Sequence, residues 1–508
     1  MERGSTPHDN TPAGTRATAS HGHRRLPGSC KDAAMMDAAT LPKRLSFGDA
    51  AFANFERPAM PMNVGSTGVY DGPVEFSRLV PHVERRINLV PRYRQRLMRV
   101  PFDLAFAAWV DDPAFDVRRH IEHVQLPAPG TREQLADLAG EFFSVPLSRD
   151  KPLWEIKLVD GFEGGRSAHL AKVHHCMVDG IGGVGLLAAL LDFDPASAAA
   201  RDASPPAAPP RAPGPLELAI DAMFDRWFDG MRNGERLLLA LADPVGTLRS
   251  VRTIAQAFSA AGPYFAVPAP TTPWSMKLTR PRRLAWRVLR FADVRHVAKT
   301  LGGTINDVVL TSVGGALGRY LAAHGDPAGS RVLRAAVPVN VRVAELDGTL
   351  GNRVSFMLNG LPAGERDPVE RFRAIQREAQ SLKSIGQAAG VDALLRVLGA
   401  VPPVAQALLE GTLTLPNTLS NLVCTNVPGP LQPLYLMERR MVEHYPWVPL
   451  GWRMGMSVAV MSYDEGLYFS VTGDEQAPED IGRIAAFIGE AFDELRDAVD
   501  VPWPIAAG

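Results

Sequence analysis

The chain has 508 residues, of which 46% are hydrophobic and 21% charged, and its formal net charge is −1. This length exceeds that of one ordinary core, so two domains with connecting segments are expected, while the near-zero charge argues against nucleic-acid binding. Three cysteines in so long a chain argue against a disulfide framework and favour a reducing, cytoplasmic setting.

The first 40 residues are predicted to be a disordered tail. They are rich in Ser, Thr, Pro, Gly and His and lack the apolar core of a signal peptide. The apolar pattern rises only after Leu41, which favours a true start at Met35 or Met36. No later stretch reaches the roughly 18 to 20 uninterrupted apolar residues that a membrane-spanning helix needs.

Residues 41–200 are predicted to form a first domain of mixed α/β structure, because short β-like runs alternate with helical periodicity. Helices are predicted where apolar residues recur three and four apart, and strands where apolar runs are short. The predicted strands cover 62–69, 154–158 and 169–173, and the predicted helices cover 79–89, 132–143 and 182–191.

Dense Pro and Ala at 201–215 predict an extended linker. Residues 216–280 are predicted to be a helical connector, and its first part, 216–262, is amphipathic. Two interpretations of this helix remain open at this point. It either packs on a protein core, as most amphipathic helices do, or it contacts a membrane surface, with Trp227 and Phe228 as the contacting residues.

Residues 281–508 are predicted to form a second α/β domain of similar character. A strand is predicted at 288–291, followed by a helix at 294–301. Asn306 or Thr304 could cap a long helix that runs to Leu321. Further strands are predicted at 332–343, 353–358, 421–425, 454–461 and 467–472, before a closing helix at 478–498.

The run His174-His175-Cys176-Met177-Val178-Asp179-Gly180 is the strongest chemical signal. It follows a predicted strand and precedes Gly182 and Gly183, so the histidines fall where a strand turns sharply into a loop. A neutral imidazole in such a turn can take the proton of an alcohol as that alcohol attacks a carbonyl carbon. Because a thiolate is a good leaving group, one positioned base can suffice when the acyl donor is a thioester.

The histidine pair has two other interpretations. A metal site is disfavoured, because neighbouring side chains on a strand point to opposite faces and no third ligand stands at a recognised spacing. A purely structural pair would be the default for two adjacent histidines alone. The fixed spacing to Asp179 and Gly180 weakens that default.

At these residues the chain resembles a known family. HHCMVDG looks like the HHxxxDG motif of the bacterial wax ester synthase/diacylglycerol acyltransferase family, which belongs to the CoA-dependent acyltransferases. The resemblance extends over residues 44–495 and includes further motifs in order. These are LSFGDAAF at 45–52, PMNVG at 61–65, PLWE at 152–155, NDVVL at 306–310, PVNVR at 338–342 with Gly351-Asn352, TNVPGP at 425–430 and Ser462-Tyr463.

The resemblance implies two similar chloramphenicol-acetyltransferase-like domains with a tunnel at their interface. It also implies roles for individual residues, with His175 as the general base, His174 as its motif partner, and Asp179 and Gly180 as supports of the loop. The motifs Pro152-Leu153-Trp154, Asn306-Asp307 and Thr425-Asn426 are expected around the pocket. Alone, Trp154 would more often be core, Asn306-Asp307 a helix cap and Asn426 part of a turn.

The chain also departs from the family pattern. Cys176 stands where a small residue is usual and offers a thiol that could be alkylated near the site. Trp274 stands where an Asn is expected.

The implied activity is transfer of a long-chain acyl group from acyl-CoA to diacylglycerol or to a long-chain alcohol, without an acyl-enzyme and without a bound cofactor or metal. No Gly-x-Ser-x-Gly elbow lies near the motif. Insoluble substrates imply peripheral association with the inner membrane or with lipid bodies. Two alternatives remain open, an acyltransferase of the same fold with a different hydroxyl or amine acceptor, and a non-catalytic lipid-binding member.

Overall fold

Two six-stranded sheets organise the chain. A computed structural model describes residues 43–178, 185–194, 211–243, 252, 255, 267–326, 331–340, 354–384, 419–477 and 480–500. Each sheet is flanked by helices, so the predicted mixed α/β class with two sheet-rich domains is confirmed. The predicted domain boundaries stay predictions, and the tail at 1–40 and most of the linker lie outside the described residues.

Most helices of the described residues overlap a helix that periodicity predicts, but those at 47–55 and 368–384 were not predicted. The helices are α1 Phe47–Phe55, α2 Phe76–Arg86, α3 Arg132–Ser144, α4 Gly185–Leu190, α5 Pro215–Ala242, α6 Phe291–Thr300, α7 Ile305–Ala323, α8 Pro368–Ser384 and α9 Ile481–Asp500. Thr131 caps α3 through a capping box with Gln134. Thr304, and not Asn306, caps α7.

Most strands of the described residues overlap a predicted strand, but those at 95–98, 108–111, 121–125, 435–436 and 439–447 were not predicted. The strands are β1 Asn63–Tyr70, β2 Gln95–Met98, β3 Ala108–Asp111, β4 Ile121–Gln125, β5 Trp154–Phe162, β6 Arg166–His174, β7 Arg282–Arg290, β8 Val332–Asn340, β9 Val354–Pro362, β10 Leu422–Val427, β11 Tyr435–Leu436, β12 Arg439–Trp447, β13 Met456–Tyr463 and β14 Gly466–Asp474. Strands β2 and β3 form a separate two-stranded sheet.

The first sheet has the order β11-β12-β1-β6-β5-β4. Strand β1 pairs antiparallel with β6 on one side, where Asn63 lies opposite His174, and with β12 on the other. Strands β11 and β12 come from the last quarter of the chain, so the first sheet is completed by residues from the predicted second domain. At Gly65 the strands approach closely, since an added Cβ would lie 2.1 Å from Ala171 O.

The second sheet has the order β7-β14-β13-β10-β8-β9. Its central strands β8, β10 and β13 are parallel, and the antiparallel pairs β13–β14 and β14–β7 complete one edge. Helices α7 and α9 bury their apolar faces on this sheet, with Leu317 and Ile488 fully buried. A buried ion pair between Arg282 and Asp474, 2.7 Å apart, joins the starting end of β7 to the end of β14.

Helix α5 packs against the rest of the protein through only a narrow face. Leu218 and Ala222 are buried, whereas Met223, Trp227 and Phe228 are more than half exposed. An ion pair of 2.8 Å between Arg44 and Asp225 also holds the helix. The chain's described helices include none that combines the length and the apolar character required to cross a bilayer.

Candidate active site

The histidine pair lies at the end of strand β6. His174 is the last residue of the strand, and His175 opens a short 3₁₀ turn at His175–Met177. The backbone N–H of His174 donates to Leu153 O at 2.9 Å, and that of His175 donates to Met62 O at 2.7 Å. The turn is therefore fixed from both sides of the strand. Asp179 and Gly180 lie outside the described residues, so their supporting role stays a prediction.

The imidazole of His175 is held against an aromatic ring. It stacks on Phe52 of α1 with the ring centroids 3.7 Å apart and the planes inclined by 13°. Burial lowers the pKa of His175 to about 4. At neutral pH the side chain is consequently an uncharged imidazole, which is the form that a general base requires.

The imidazole of His174 is buried and oriented by both of its ring nitrogens. Its Nδ1 accepts a hydrogen bond of 3.1 Å from the backbone N–H of Cys176, so the ring proton resides on Nε2. Nε2 faces Glu56, with Oε1 at 3.4 Å, which is longer than an ordinary hydrogen bond. His174 thus turns its N–H toward a carboxylate and not toward His175.

Glu56 is a site residue that the sequence does not single out. Its side chain is only 8% exposed, and its Oε1 also accepts from the backbone N–H of Met62 at 3.2 Å. Arg149 approaches Oε2 at 3.3 Å. Burial alone would raise the pKa of Glu56, but His174, the Met62 N–H and Arg149 outweigh it, so the pKa is lowered and the group is ionised at neutral pH.

The motif Pro152-Leu153-Trp154 supports the strand end. Leu153 supplies the carbonyl that receives the His174 N–H, as described above. Trp154 is fully buried, donates from Nε1 to Tyr93 O at 2.8 Å, and stacks on His120 with centroids 4.3 Å apart. These contacts position the backbone beside the histidine pair. Contact of this motif with a substrate stays a prediction.

The second-domain motifs take defined places in the fold. Asp307 accepts from the Thr304 N–H at 2.8 Å and completes the capping box of α7, with Asn306 beside it in the first turn. Thr425 and Asn426 lie on β10, the strand between β8 and β13. Thr425 Oγ1 is buried and has no hydrogen-bond partner among the described residues. The proximity of these residues to the reaction centre stays a prediction.

Cys176 lies inside the turn and is 3% exposed. Burial, followed by the negative charge of Asp49, raises the pKa of its thiol well above the ordinary value. A thiol alkylates through its thiolate, so burial and the raised pKa argue against alkylation of Cys176 in the folded protein. Trp274, the other departure from the family pattern, is fully buried and donates from Nε1 to Asn421 O at 3.0 Å.

Comparison with known protein families identifies the family of this chain. Residues 45–309 match the wax ester synthase/diacylglycerol acyltransferase catalytic domain, and residues 350–496 match the C-terminal domain of the same family. The chain belongs to this family. The catalytic-domain match includes both histidines of the turn, and the protein is an acyl-CoA-dependent acyltransferase.

Individual relatives are similar over most of their length. A probable diacylglycerol O-acyltransferase of Mycobacterium tuberculosis H37Rv is 31% identical over 440 residues, covering 85% of this chain and 90% of the relative. A putative diacylglycerol O-acyltransferase of the same strain is 32% identical over 472 residues, covering 90% of this chain and 91% of the relative.

Solved structures share the fold at lower identity. The wax ester synthase/diacylglycerol acyltransferase from Marinobacter aquaeolei VT8 superposes with a TM-score of 0.61 at 23% identity, over 90% of this chain and 99% of that one. The first condensation domain of the CDA synthetase superposes with a TM-score of 0.57 at 16% identity, over 90% and 97%. At these identities the likeness concerns the fold alone.

Proposed function

We propose that this acyltransferase moves a long-chain acyl group from acyl-CoA to the hydroxyl of diacylglycerol, of a long-chain alcohol, or of both. The observation that supports this most directly is His175, a neutral imidazole fixed at the end of β6 by the Met62 carbonyl and by Phe52. The names of the mycobacterial relatives favour diacylglycerol, and the family description includes wax ester synthesis.

In the proposed mechanism both substrates are bound at once, in a tunnel between the two domains. His175 accepts the hydroxyl proton as the acceptor oxygen attacks the thioester carbonyl carbon. A C–O bond forms, the tetrahedral intermediate collapses and the C–S bond breaks. The CoA thiolate leaves and takes the proton back from the imidazolium, which gives the ester and free CoA. No acyl-enzyme, metal or bound cofactor takes part, and acyl-CoA is a co-substrate.

The test is CoA release from palmitoyl-CoA by the purified protein, with dioleoylglycerol or hexadecanol offered in turn. Release that depends on the acceptor and is abolished in His175→Ala supports the proposal, and the better acceptor names the product. His324→Ala is the matched control, because it also removes an imidazole but lies at the C-terminal end of α7, on the second sheet. Folded protein that releases no CoA with either acceptor would contradict the choice of acceptors and favour a different acceptor or a non-catalytic role.

We further propose that the protein works at a lipid surface, on the cytoplasmic side of the inner membrane or on lipid bodies. Trp227 and Phe228 of α5 are 69% and 56% exposed, and Met223 is exposed beside them. Amphipathic helices bind lipid interfaces through such residues. Co-sedimentation with phosphatidylcholine vesicles should fall in the double variant Trp227→Ser/Phe228→Ser but not in Trp452→Ser, which removes a half-exposed tryptophan elsewhere. Equal binding of all three proteins would contradict the proposal.

A further inference from the structure

We propose that Glu56 is a positioning residue for the catalytic base. It holds His175 indirectly, through the backbone of Met62 and through the His174 ring. The proposal rests on the proposed role of His175, and it assigns a function to a carboxylate that lies outside the HHxxxDG motif.

The first connection passes through Met62. Glu56 Oε1 accepts the Met62 N–H at 3.2 Å, and the carbonyl of the same residue accepts the His175 N–H at 2.7 Å. Met62 directly precedes β1, so its backbone is otherwise free of the β1–β6 ladder, which begins with Asn63 and His174. The carboxylate therefore fixes the residue whose carbonyl in turn fixes the start of the catalytic turn.

The second connection passes through His174. The Cys176 N–H occupies Nδ1 of this ring, which leaves a proton on Nε2, and Glu56 is the anion toward which Nε2 points. The carboxylate favours this orientation of the ring, because a turned ring would lose the attraction between the buried Nε2–H and the negative charge of Glu56. His174 is buried and adjacent to His175 in sequence, so a fixed His174 ring restricts the backbone of the turn.

The third connection runs along α1. Glu56 is the C-cap residue of this helix, and Phe52 lies four residues earlier, on the same side of the helix. Phe52 stacks on the His175 ring while Glu56 binds the backbone beneath it. Arg149 approaches Glu56 Oε2 and donates to the Ala53 carbonyl, so it ties the carboxylate and the helix end together. One short helix thus sets both the ring and the backbone of the base.

Removal of the carboxylate should misplace His175 without removing it. Glu56→Ala would leave the Met62 N–H and the His174 Nε2–H without acceptors in a buried place. Glu56→Gln keeps one oxygen that can accept from Met62 while facing His174, but it loses the charge that attracts Arg149. The two variants therefore separate geometry from charge.

The experiment measures steady-state kinetics with palmitoyl-CoA and the better acceptor, and backbone amide exchange by mass spectrometry on the full chain. Glu443→Gln is the control, since Glu443 is also a largely buried, arginine-paired glutamate of the first sheet, bound to Arg132 at 2.6 Å. We expect kcat to fall about 100-fold in Glu56→Ala with KM nearly unchanged, about 10-fold or less in Glu56→Gln, and to stay within about twofold in the control.

Amide exchange gives a readout that does not depend on turnover. The His175 N–H should exchange at least about tenfold faster in Glu56→Ala, while the peptides of α7 and α9 keep their protection. If Glu56→Ala retains kcat within about twofold of the unmodified protein, or if His175 exchange is unchanged, the positioning role is overturned. If the unmodified protein turns over no acceptor but the His175 N–H exchanges faster in Glu56→Ala, the positioning role of Glu56 is supported and the proposed activity has failed.

Discussion

The lowered pKa of His175 should determine the pH at which activity is lost on the acid side of the pH–rate profile. An imidazole in water has a pKa near 6.5, so at pH 5.5 only about 10% would be neutral. Burial lowers the pKa of His175 to about 4, and at pH 5.5 about 97% of the protein then holds the neutral base. The rate constant kcat/KM should therefore be almost flat from pH 7.5 to 5.5 and fall only toward pH 4.

The assay is CoA release at low acyl-CoA concentration, because kcat/KM reports the ionisation of the free enzyme. Samples held at each pH and returned to pH 7.5 must recover full activity, which separates titration of His175 from acid unfolding. A reversible loss of half the activity near pH 6.5 would refute the reasoning, because it would mean that the base is solvated as in a free peptide.

Three further predictions concern groups other than the base. Burial lowers the pKa of His169 to about 3 and of His444 to about 4, so the unfolded chain binds protons that the folded chain does not, and stability is lost as pH falls below about 6.5. Each histidine should lower the free energy of unfolding by about 2 kcal/mol at pH 5. Urea unfolding at pH 7.5 and 5 should show that His444→Phe loses the part of this pH dependence that His444 causes. An unchanged pH dependence in the variant would contradict the prediction. Iodoacetamide should label Cys176 only after unfolding, as followed by mass spectrometry, and rapid labelling of native protein would contradict its burial. Asp192→Ala should cost about 3–5 kcal/mol by removing the carboxylate that pairs with the buried Arg86 guanidinium, and a melting temperature within about 2 °C of the unmodified protein would contradict this.

Local patterns in the sequence predicted most of the helices and strands because periodicity records which face of an element is buried. The helix predicted at 132–143 is α3, and the strand predicted at 169–173 is the inner part of β6. A predicted strand ends too early where buried and exposed positions no longer alternate along it. Strand β14 is buried at every one of its positions, so periodicity gives no boundary for it.

Long-range pairing could not be predicted in the same way. Strand β12 joins β1 across more than 370 residues, with Gly65 opposite Trp447, and no local pattern specifies a partner so distant. The same reason explains why Glu56 was missed. Its contacts with His174 and Arg149 depend on how α1, the end of β6 and the segment between α3 and β5 meet in space, whereas the histidine motif is contiguous in the chain.

A base whose pKa is about 4 is a weak base, and this limits where its catalytic effect can originate. General-base efficiency is greatest when the pKa lies near the operating pH, so basicity alone cannot be the advantage of the His175 environment. The same burial keeps the imidazole neutral and in one geometry, and correct placement of reacting groups can be worth several kcal/mol. Changes that loosen the turn should therefore reduce kcat more than changes that merely shift the His175 pKa. By this argument Glu56→Ala, which loosens the backbone of the turn, should lose more activity at pH 7.5 than Phe52→Leu, which removes the ring stacking but keeps the Met62 contact.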